Sequence, residues 1–434
     1  MLFPESTRDV RDLVLEARRT GMSLVPLSSG PPHFHGASVN PAAETVSFSR
    51  MDHILQIDRK ARYARVEAGV TFGELIPKMR EKGLRLNLPF LPRANKSALA
   101  SALEKEAVLI PKYQYDYPDP LLTLEVVFGT GDVFRTGSAS GPGTMEENSS
   151  DKVLPWGPGS VDYYRLFTAA QGTFGLVTWA TLKAEVLPSL SRLFFVQAEE
   201  PGPLVRLANH LCRERIPDEL IILDRRNFAQ AFGDTPEEEQ ALAGAAPWIM
   251  LCRVCGFDRY PEERVDIYSG YVREACAKFD LPCETAPAFL PCTPEKLEET
   301  LTDCDRREVC WKCRRGPERE LVLLAPPSKT TAIAEAIRAR FPEAGILLQP
   351  QVQGRAFRVE CDLFPGEGEA AAAEAEEALF RMARELMPLG AYYDRPYGRL
   401  PELVYTEPVS LDAIRRLKKI FDPDGILNPG KLCF

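Results

Sequence analysis

Residues 166–188 read LFTAAQGTFGLVTWATLKAEVLP. The stretch divides at Gly175. Before it, Gln171-Gly172-Thr173-Phe174-Gly175 is a turn of small residues, which permit close backbone approach and unusual φ angles. After it, Val177, Trp179 and Thr181 alternate, so Thr173–Leu187 reads as one long strand or a strand pair.

Further elements lie towards the N-terminus. Val10, Leu13, Val14 and Ala17 recur at helical spacing, with Ser6 or Thr7 as cap and Gly21 as stop. A strand over Ser23–Leu27 leads into the turn-rich Ser28-Ser29-Gly30. Strands are expected at Glu44–Phe48 and Ala64–Val66. Thr71-Phe72-Gly73-Glu74 is a capping box that opens a second helix, with Leu75, Ile76 and Met79 as its buried stripe. Residues 89–118 show no clear period. Leu122–Phe128 and Val133–Arg135 flank Gly129-Thr130-Gly131-Asp132, a hairpin signal. A long polar loop follows over about 137–160.

Beyond Pro188 strands and helices alternate. Strands are expected at Phe194–Val196, Trp248–Val254, Leu321–Leu324, Gly345–Gln349 and Phe357–Leu363. Helices are expected at Leu204–Arg213, Pro261–Ala277, Pro294–Thr302, Ser328–Phe341, Gly368–Met387 and Ser410–Phe421. This pattern predicts a second α+β unit with an open antiparallel sheet.

The composition is that of a globular chain: 434 residues, 45% hydrophobic and 26% charged. The length suggests two or three domains. A net charge of −9 argues against nucleic-acid binding. No apolar run approaches the ~18 residues needed to cross a bilayer. The 11 cysteines, without a visible secretory signal, fit a reducing, cytoplasmic setting. Sequences for a P-loop, a Rossmann fingerprint, H-E-x-x-H and G-x-S-x-G are all absent.

The motif order carries a resemblance. PxSSG, RVEAGVTFGEL, EVVFGTGDVFRTG and LFTAAQGTFGLVT follow one another, and residues 420–431 close the chain with IFDPDGILNPGK. In that order they resemble the FAD-binding domain and returning tail of the vanillyl-alcohol oxidase/p-cresol methylhydroxylase superfamily, which includes FAD-linked glycolate and D-lactate dehydrogenases. The resemblance implies an α+β, two-domain flavoprotein: a FAD-binding domain at 1–190, an antiparallel-sheet cap at 191–397 and a tail at 398–434 that rejoins the first domain. It implies FAD held by Ser28, Ser29 and Gly30 at the pyrophosphate. Gly172, Thr173, Gly175 and Val177 would lie at the adenine–ribose or ring region, with Asn428 and Lys431 near the flavin. The first loop is poorer in glycine than is usual in the family. The family's Gly-Gly turn is replaced by Arg93–Ala102, where Lys96 and Ser97 can compensate through charge and hydroxyl. Some relatives tether FAD through a first-loop histidine; His33 and His35 lie near that region without the glycine-flanked context.

On the substrate side, Gln349, Gln351 and Gln353 would share one face of a strand, with Arg355 and Arg358 beyond them. Arg395 can clamp a carboxylate or phenolate through two N–H groups, with Tyr393 and Tyr397 donating to the same anion. Only four histidines are present, so a histidine metal site is not expected. The alcohol base is left open between Tyr393 or Tyr397, with a pKa lowered by Arg395, and Glu360 or Asp394. A para-alkyl phenol substrate would need no such base. The expected activity is hydride transfer from a small hydroxylated substrate such as a 2-hydroxy acid to flavin N5, with an electron-acceptor protein as partner. A non-catalytic or electron-relay subunit is the rival reading, and a homo-oligomer or complex subunit is expected. Cys252/Cys255 lie three apart in a strand and point to opposite faces. Cys304, Cys310 and Cys313 are either buried thiols or a metal or cluster site.

Overall fold

The computed structural model describes residues 1–31, 40, 42–112, 119–140, 163–242, 244–290 and 293–434. His33, His35 and most of the polar loop after residue 140 lie outside these residues.

A helix over Thr7–Thr20 starts at Ser6, whose hydroxyl accepts from the Asp9 N–H, and ends at Gly21 in the left-handed region. It leads into a parallel pair, β1 (Leu24–Leu27) and β2 (Glu44–Ser47). The strands β3 (Ile54–Asp58), β4 (Tyr63–Glu67), β5 (Leu84–Leu86), β6 (Leu121–Val127), β7 (Val133–Arg135) and β8 (Leu176–Val186) form a six-stranded sheet. Its order is β3-β4-β8-β6-β7, with β5 also on β8. The quoted stretch therefore supplies one long central strand, and the hairpin at Gly129–Asp132 supplies the edge. The capping box at Thr71 forms as read and opens the helix Phe72–Glu81. Among its described residues, the aperiodic stretch contains one short helix, Ala98–Leu103. Its run of small residues gave no stripe to read.

The remaining strands are β9 (Leu190–Ala198), β10 (Glu219–Asp224), β11 (Trp248–Gly256), β12 (Cys283–Glu284), β13 (Arg319–Ala325), β14 (Gly345–Gln351) and β15 (Ala356–Leu363). They make a seven-stranded antiparallel sheet in the order β12-β9-β11-β10-β14-β15-β13. Four helices cover one face: Pro201–Arg213, Pro261–Lys278, Pro327–Arg340 and Glu369–Leu386. Leu207, Val272, Ile337 and Met382 of these helices pack on Phe194, Leu348, Phe357 and Val359. The other face carries Phe195, Ile221, Leu251 and Leu347. It packs on Phe90, Leu91 and Leu109, which come from the segment between β5 and β6. That second face positions the site. β10 and the helix after it, Arg225–Phe232, were not read from the sequence. β10 is buried at every position, so it shows no alternation.

The tail comes back through the helix Pro408–Phe421. Lys418 Nζ donates to the carbonyl oxygens of Thr173 (2.6 Å) and Leu427 (3.0 Å) and to Asp422 Oδ2 (2.6 Å). Asp422 in turn accepts from the Ile426 and Leu427 N–H groups. Asn428 donates its N–H to Leu24 and its side-chain amide to the Gln171 carbonyl (2.6 Å). Tail, first strand and glycine turn are thus one hydrogen-bonded unit. Gly172 sits at φ +72°, with the Pro26 ring where a Cβ would be. Gly172→Ala is expected to destabilise the fold by about 1–3 kcal/mol in chemical denaturation, from left-handed strain plus that collision.

Candidate active site

β15 alternates cleanly. Phe357, Val359 and Cys361 enter the helix-covered core, while Arg358, Glu360 and Asp362 take the opposite face. Register places Arg358 beside Gln349 of β14 and Leu324 of β13, and Glu360 beside Leu347 and Val322. Facing them are Pro89–Arg93, Lys96, Glu106 and Ala107. Together with Cys310, Trp311, Lys312, Glu318, Glu320 and Arg395, these residues line a cavity of about 110 Å³ that opens to solvent. Phe90 and Trp311 meet edge to face at 5.4 Å and form its aromatic wall.

Two buried arginines line the cavity. Arg358 is 5% exposed; its Nη2 reaches Asp394 at 3.4 Å, while Nε and Nη1 have no partner. Arg395 is also 5% exposed, lies 5.1 Å over the Tyr397 ring and 3.8 Å from Glu320, and has an unpartnered Nε. Burial works against its charge, but Tyr397, Glu320 and Glu106 outweigh it and hold the guanidinium charged. Buried N–H groups without partners are costly, so an acceptor-bearing ligand is what this wall is suited to receive.

The cavity floor is acidic. Lys312 Nζ touches Glu360 and lies 3.1 Å from Glu318, 3.3 Å from Glu320 and 3.6 Å from Asp362. One ammonium cannot neutralise four carboxylates in a buried space, so protons must be held. Burial, then repulsion from Asp362 and Glu320, pushes Glu360 up to about 7 against the pull of Lys312. Burial pushes Glu318 well above the carboxylate range. Since the folded value for Glu360 exceeds the unfolded 4.5, its share of stability is full below pH 4.5 and is lost as pH rises through 7. Relative to Glu360→Gln, the wild type should lose about 3 kcal/mol at most over that window, measured by denaturant unfolding at a series of pH values.

The other site residues fall in several places. Lys96 is buried and spends its charge on Glu104 and, at 3.3 Å, Glu106. It lines the cavity, but as part of an internal ion cluster. Ser97 caps the helix Ala98–Leu103, its hydroxyl donating to the Ala68 carbonyl, and its N–H donates to Ser29 Oγ at 3.0 Å. Gly30 donates its N–H to Asn95, and a Cβ there would come 2.9 Å from the Asn95 amide nitrogen. The described part of the first loop is therefore bonded directly to the 93–97 segment. Ser28 is half-buried beside it. Thr173 donates to the Ala170 carbonyl, Gly175 packs on Val126, and Val177 is a buried β8 residue. Lys431 is half-buried, and burial lowers its ammonium pKa. The Gln171 side chain donates to the Pro396 carbonyl at 3.4 Å, which joins the tail cluster to the Arg395 corner.

Two sequence expectations are corrected. Tyr393 does not turn towards Arg395: it lies in the helix-covered core and its OH donates to the Ala383 carbonyl. Tyr397 donates to the Glu104 carbonyl at 3.3 Å. Burial raises both phenols rather than Arg395 lowering them, so neither ionises near neutral pH. The glutamine face ends early. Gln349 is buried and donates to the Val108 carbonyl, β14 stops at Gln351, and Gln353 has left the strand at φ +61°. Gln351, Gln353 and Arg355 do not line the cavity; Arg358 does. Lys312, Glu318 and Glu320 were missed. Their only sequence signal was a lysine inside a CxxC and two carboxylates at period two entering a strand.

Cys252 enters the helix-covered core, while Cys255 approaches Glu219 at 3.8 Å. They occupy opposite faces, as the strand reading required.

The described residues fit FAD at the ring end. The cavity has an aromatic wall, and unpartnered arginine N–H groups suit a ring that carries carbonyl and ring-nitrogen acceptors. Arg395 would hold it there through its unpartnered Nε, with the Gln171–Thr173 turn and Asn428 adjoining.

Comparison with known proteins indicates the same cofactor. Residues 1–137 match the family described as FAD binding domain, and 401–432 match the C-terminal domain of FAD linked oxidases. The glycolate oxidase subunit GlcD of Bacillus subtilis is 23% identical over 100% of this chain and 88% of its own. The flavoprotein subunit of 4-cresol dehydrogenase from Pseudomonas putida is 25% identical over 53% of this chain and 46% of its own. The 4-ethylphenol oxidase of Gulosibacter chungangensis superposes with a TM-score of 0.83 at 20% identity, covering 99% of this chain and 88% of that one. That likeness establishes a shared fold. Among the described residues, no helix is long and apolar enough to cross a membrane.

Proposed function

We propose that this chain, which belongs to the FAD-linked oxidases and dehydrogenases of the vanillyl-alcohol oxidase/p-cresol methylhydroxylase superfamily, oxidises a small hydroxylated organic anion such as a 2-hydroxy acid in the arginine-lined cavity. The observation that carries this is the pair of buried, incompletely partnered guanidinium groups of Arg358 and Arg395. A carboxylate would accept one charge-assisted hydrogen bond from Arg358, whose free Nε and Nη1 point to different sides of the guanidinium while Nη2 faces Asp394. Glu360, two residues along the same face, is poised to take the hydroxyl proton, because a group titrating at about 7 is half ionised at neutral pH. Lys312 orients that carboxylate. FAD, when bound, supplies the acceptor for the hydride from the carbinol carbon. Electrons then pass to a protein acceptor, with the chain acting as a subunit or homo-oligomer.

A second reading, a para-alkyl phenol bound as phenolate, is favoured by the Phe90–Trp311 wall and by the names of the phenol-oxidising relatives. Anaerobic mixing of the FAD-loaded protein with a panel of 2-hydroxy acids and para-alkyl phenols separates the two. Bleaching of the flavin by a hydroxy acid alone supports the first reading, and bleaching by a phenol alone replaces it.

A further inference from the structure

The two cysteines of the Cys310-Trp311-Lys312-Cys313 motif have no part in the chemistry above, yet the motif forms a stretch of the cavity wall. Cys310 lines the cavity and is 7% exposed, while Cys313 is half-exposed. Their sulfurs lie 2.8 Å apart. The turn between them is held rigidly. Cys313 N–H donates to the Cys310 carbonyl at 2.8 Å, Trp311 N–H donates to Asp305 at 2.6 Å, and the indole N–H donates to the Leu91 carbonyl at 3.2 Å. Asp305 is itself fixed by Arg307 and bonded to the Pro92–Ala94 backbone. Closing a bond between the two sulfurs therefore requires little movement of the chain.

The two thiols are also unequal. The hydrogen bond shared with Cys313, helped by the Cys313 backbone N–H and Arg93, brings Cys310 down to about 7 despite burial, while Cys313 is pushed up. A thiolate-forming cysteine beside a protonated partner is the arrangement that dithiol chemistry uses. The core cysteines differ: burial raises Cys212, Cys252 and Cys361, and they lie among apolar side chains. Cys276 and Cys283 are a second interacting pair, but neither lines the cavity.

We propose that Cys310 and Cys313 are a reversible dithiol/disulfide centre that exchanges two electrons with the cofactor bound in the cavity. In the reducing direction, the S–S bond breaks as the pair takes two electrons from the reduced cofactor and two protons, giving two thiols. In the oxidising direction, the thiols return two electrons to the oxidised cofactor and release two protons as the S–S bond forms. This rests on the reading of the cavity as the FAD-bearing site.

The first test needs no cofactor. The purified chain is equilibrated in glutathione buffers of graded potential, quenched with an alkylating agent and mapped by mass spectrometry. A Cys310–Cys313 disulfide that forms and disappears reversibly is expected, and it should persist in Cys276→Ser. Two thiols that stay alkylatable across the series overturn the proposal, as does a pair protected from alkylation until a zinc chelator is added. The second test is anaerobic dithionite titration of the FAD-loaded, pre-oxidised protein. Wild type should take up about four electrons per FAD and Cys313→Ser about two. Uptake of two by both overturns the exchange. Failure to take up FAD at all would sink the cavity assignment instead, and would leave the result of the first test intact.

Discussion

Arg358→Met is expected to lower kcat/KM for the substrate anion by about ten- to a hundredfold, most of it in KM. The variant removes a charge-assisted hydrogen bond worth about 1.5–3 kcal/mol when its partner is charged. The carboxylate keeps its charge through the hydride step and is held about equally in ground and transition states, so the loss falls on binding. Folding should be spared. Asp394, the arginine's existing partner at 3.4 Å, keeps Lys105 at 3.0 Å. Arg358→Lys should recover part of the affinity, because it restores the charge without the guanidinium geometry. Unchanged KM in Arg358→Met would remove this residue from the substrate site.

Lys418→Met should cost about 3–5 kcal/mol of stability, the usual effect of removing one partner from a buried pair. Asp422 is 1% exposed and would keep its two backbone N–H donors without its counter-ion. Two carbonyls, of Thr173 and Leu427, would lose a donor as well. The glycine turn and the tail should therefore loosen together. The measurements are denaturant unfolding and protease sensitivity of the last residues. A loss under 1 kcal/mol would mean that the tail is held chiefly by the apolar contacts of Phe421 and Leu427.

The tail and the glycine turn were legible because each is a short contiguous motif, although their partners are remote in sequence. Asp422, Gly425 and Asn428 act within a few residues of one another, and Gly172 declares a close approach by its lack of a side chain. The alternation of β15 was legible for the same reason. Which face it turned to the cavity was not: Arg358 and Glu360 could equally have met solvent, and only the packing of Phe90 and Leu109 across the sheet decides it. The acidic floor was hidden for a different reason. Lys312, Glu318, Glu320 and Glu360 come from a loop, a strand entry and a separate strand, and no single window contains them. Tyr393 misled because Tyr393, Arg395 and Tyr397 have strand-like spacing in a segment that forms no strand beyond one bridge, Leu324 to Tyr392.

The central claim is that FAD occupies the cavity between the second sheet and residues 89–96. Trp311 in its wall provides the probe. FAD titrated into cofactor-free protein should quench tryptophan fluorescence and saturate at one FAD per chain. Trp311→Phe should bind FAD with most of that quenching gone. Saturable binding with quenching unchanged in Trp311→Phe would place the flavin elsewhere, and no saturable binding would contradict the account.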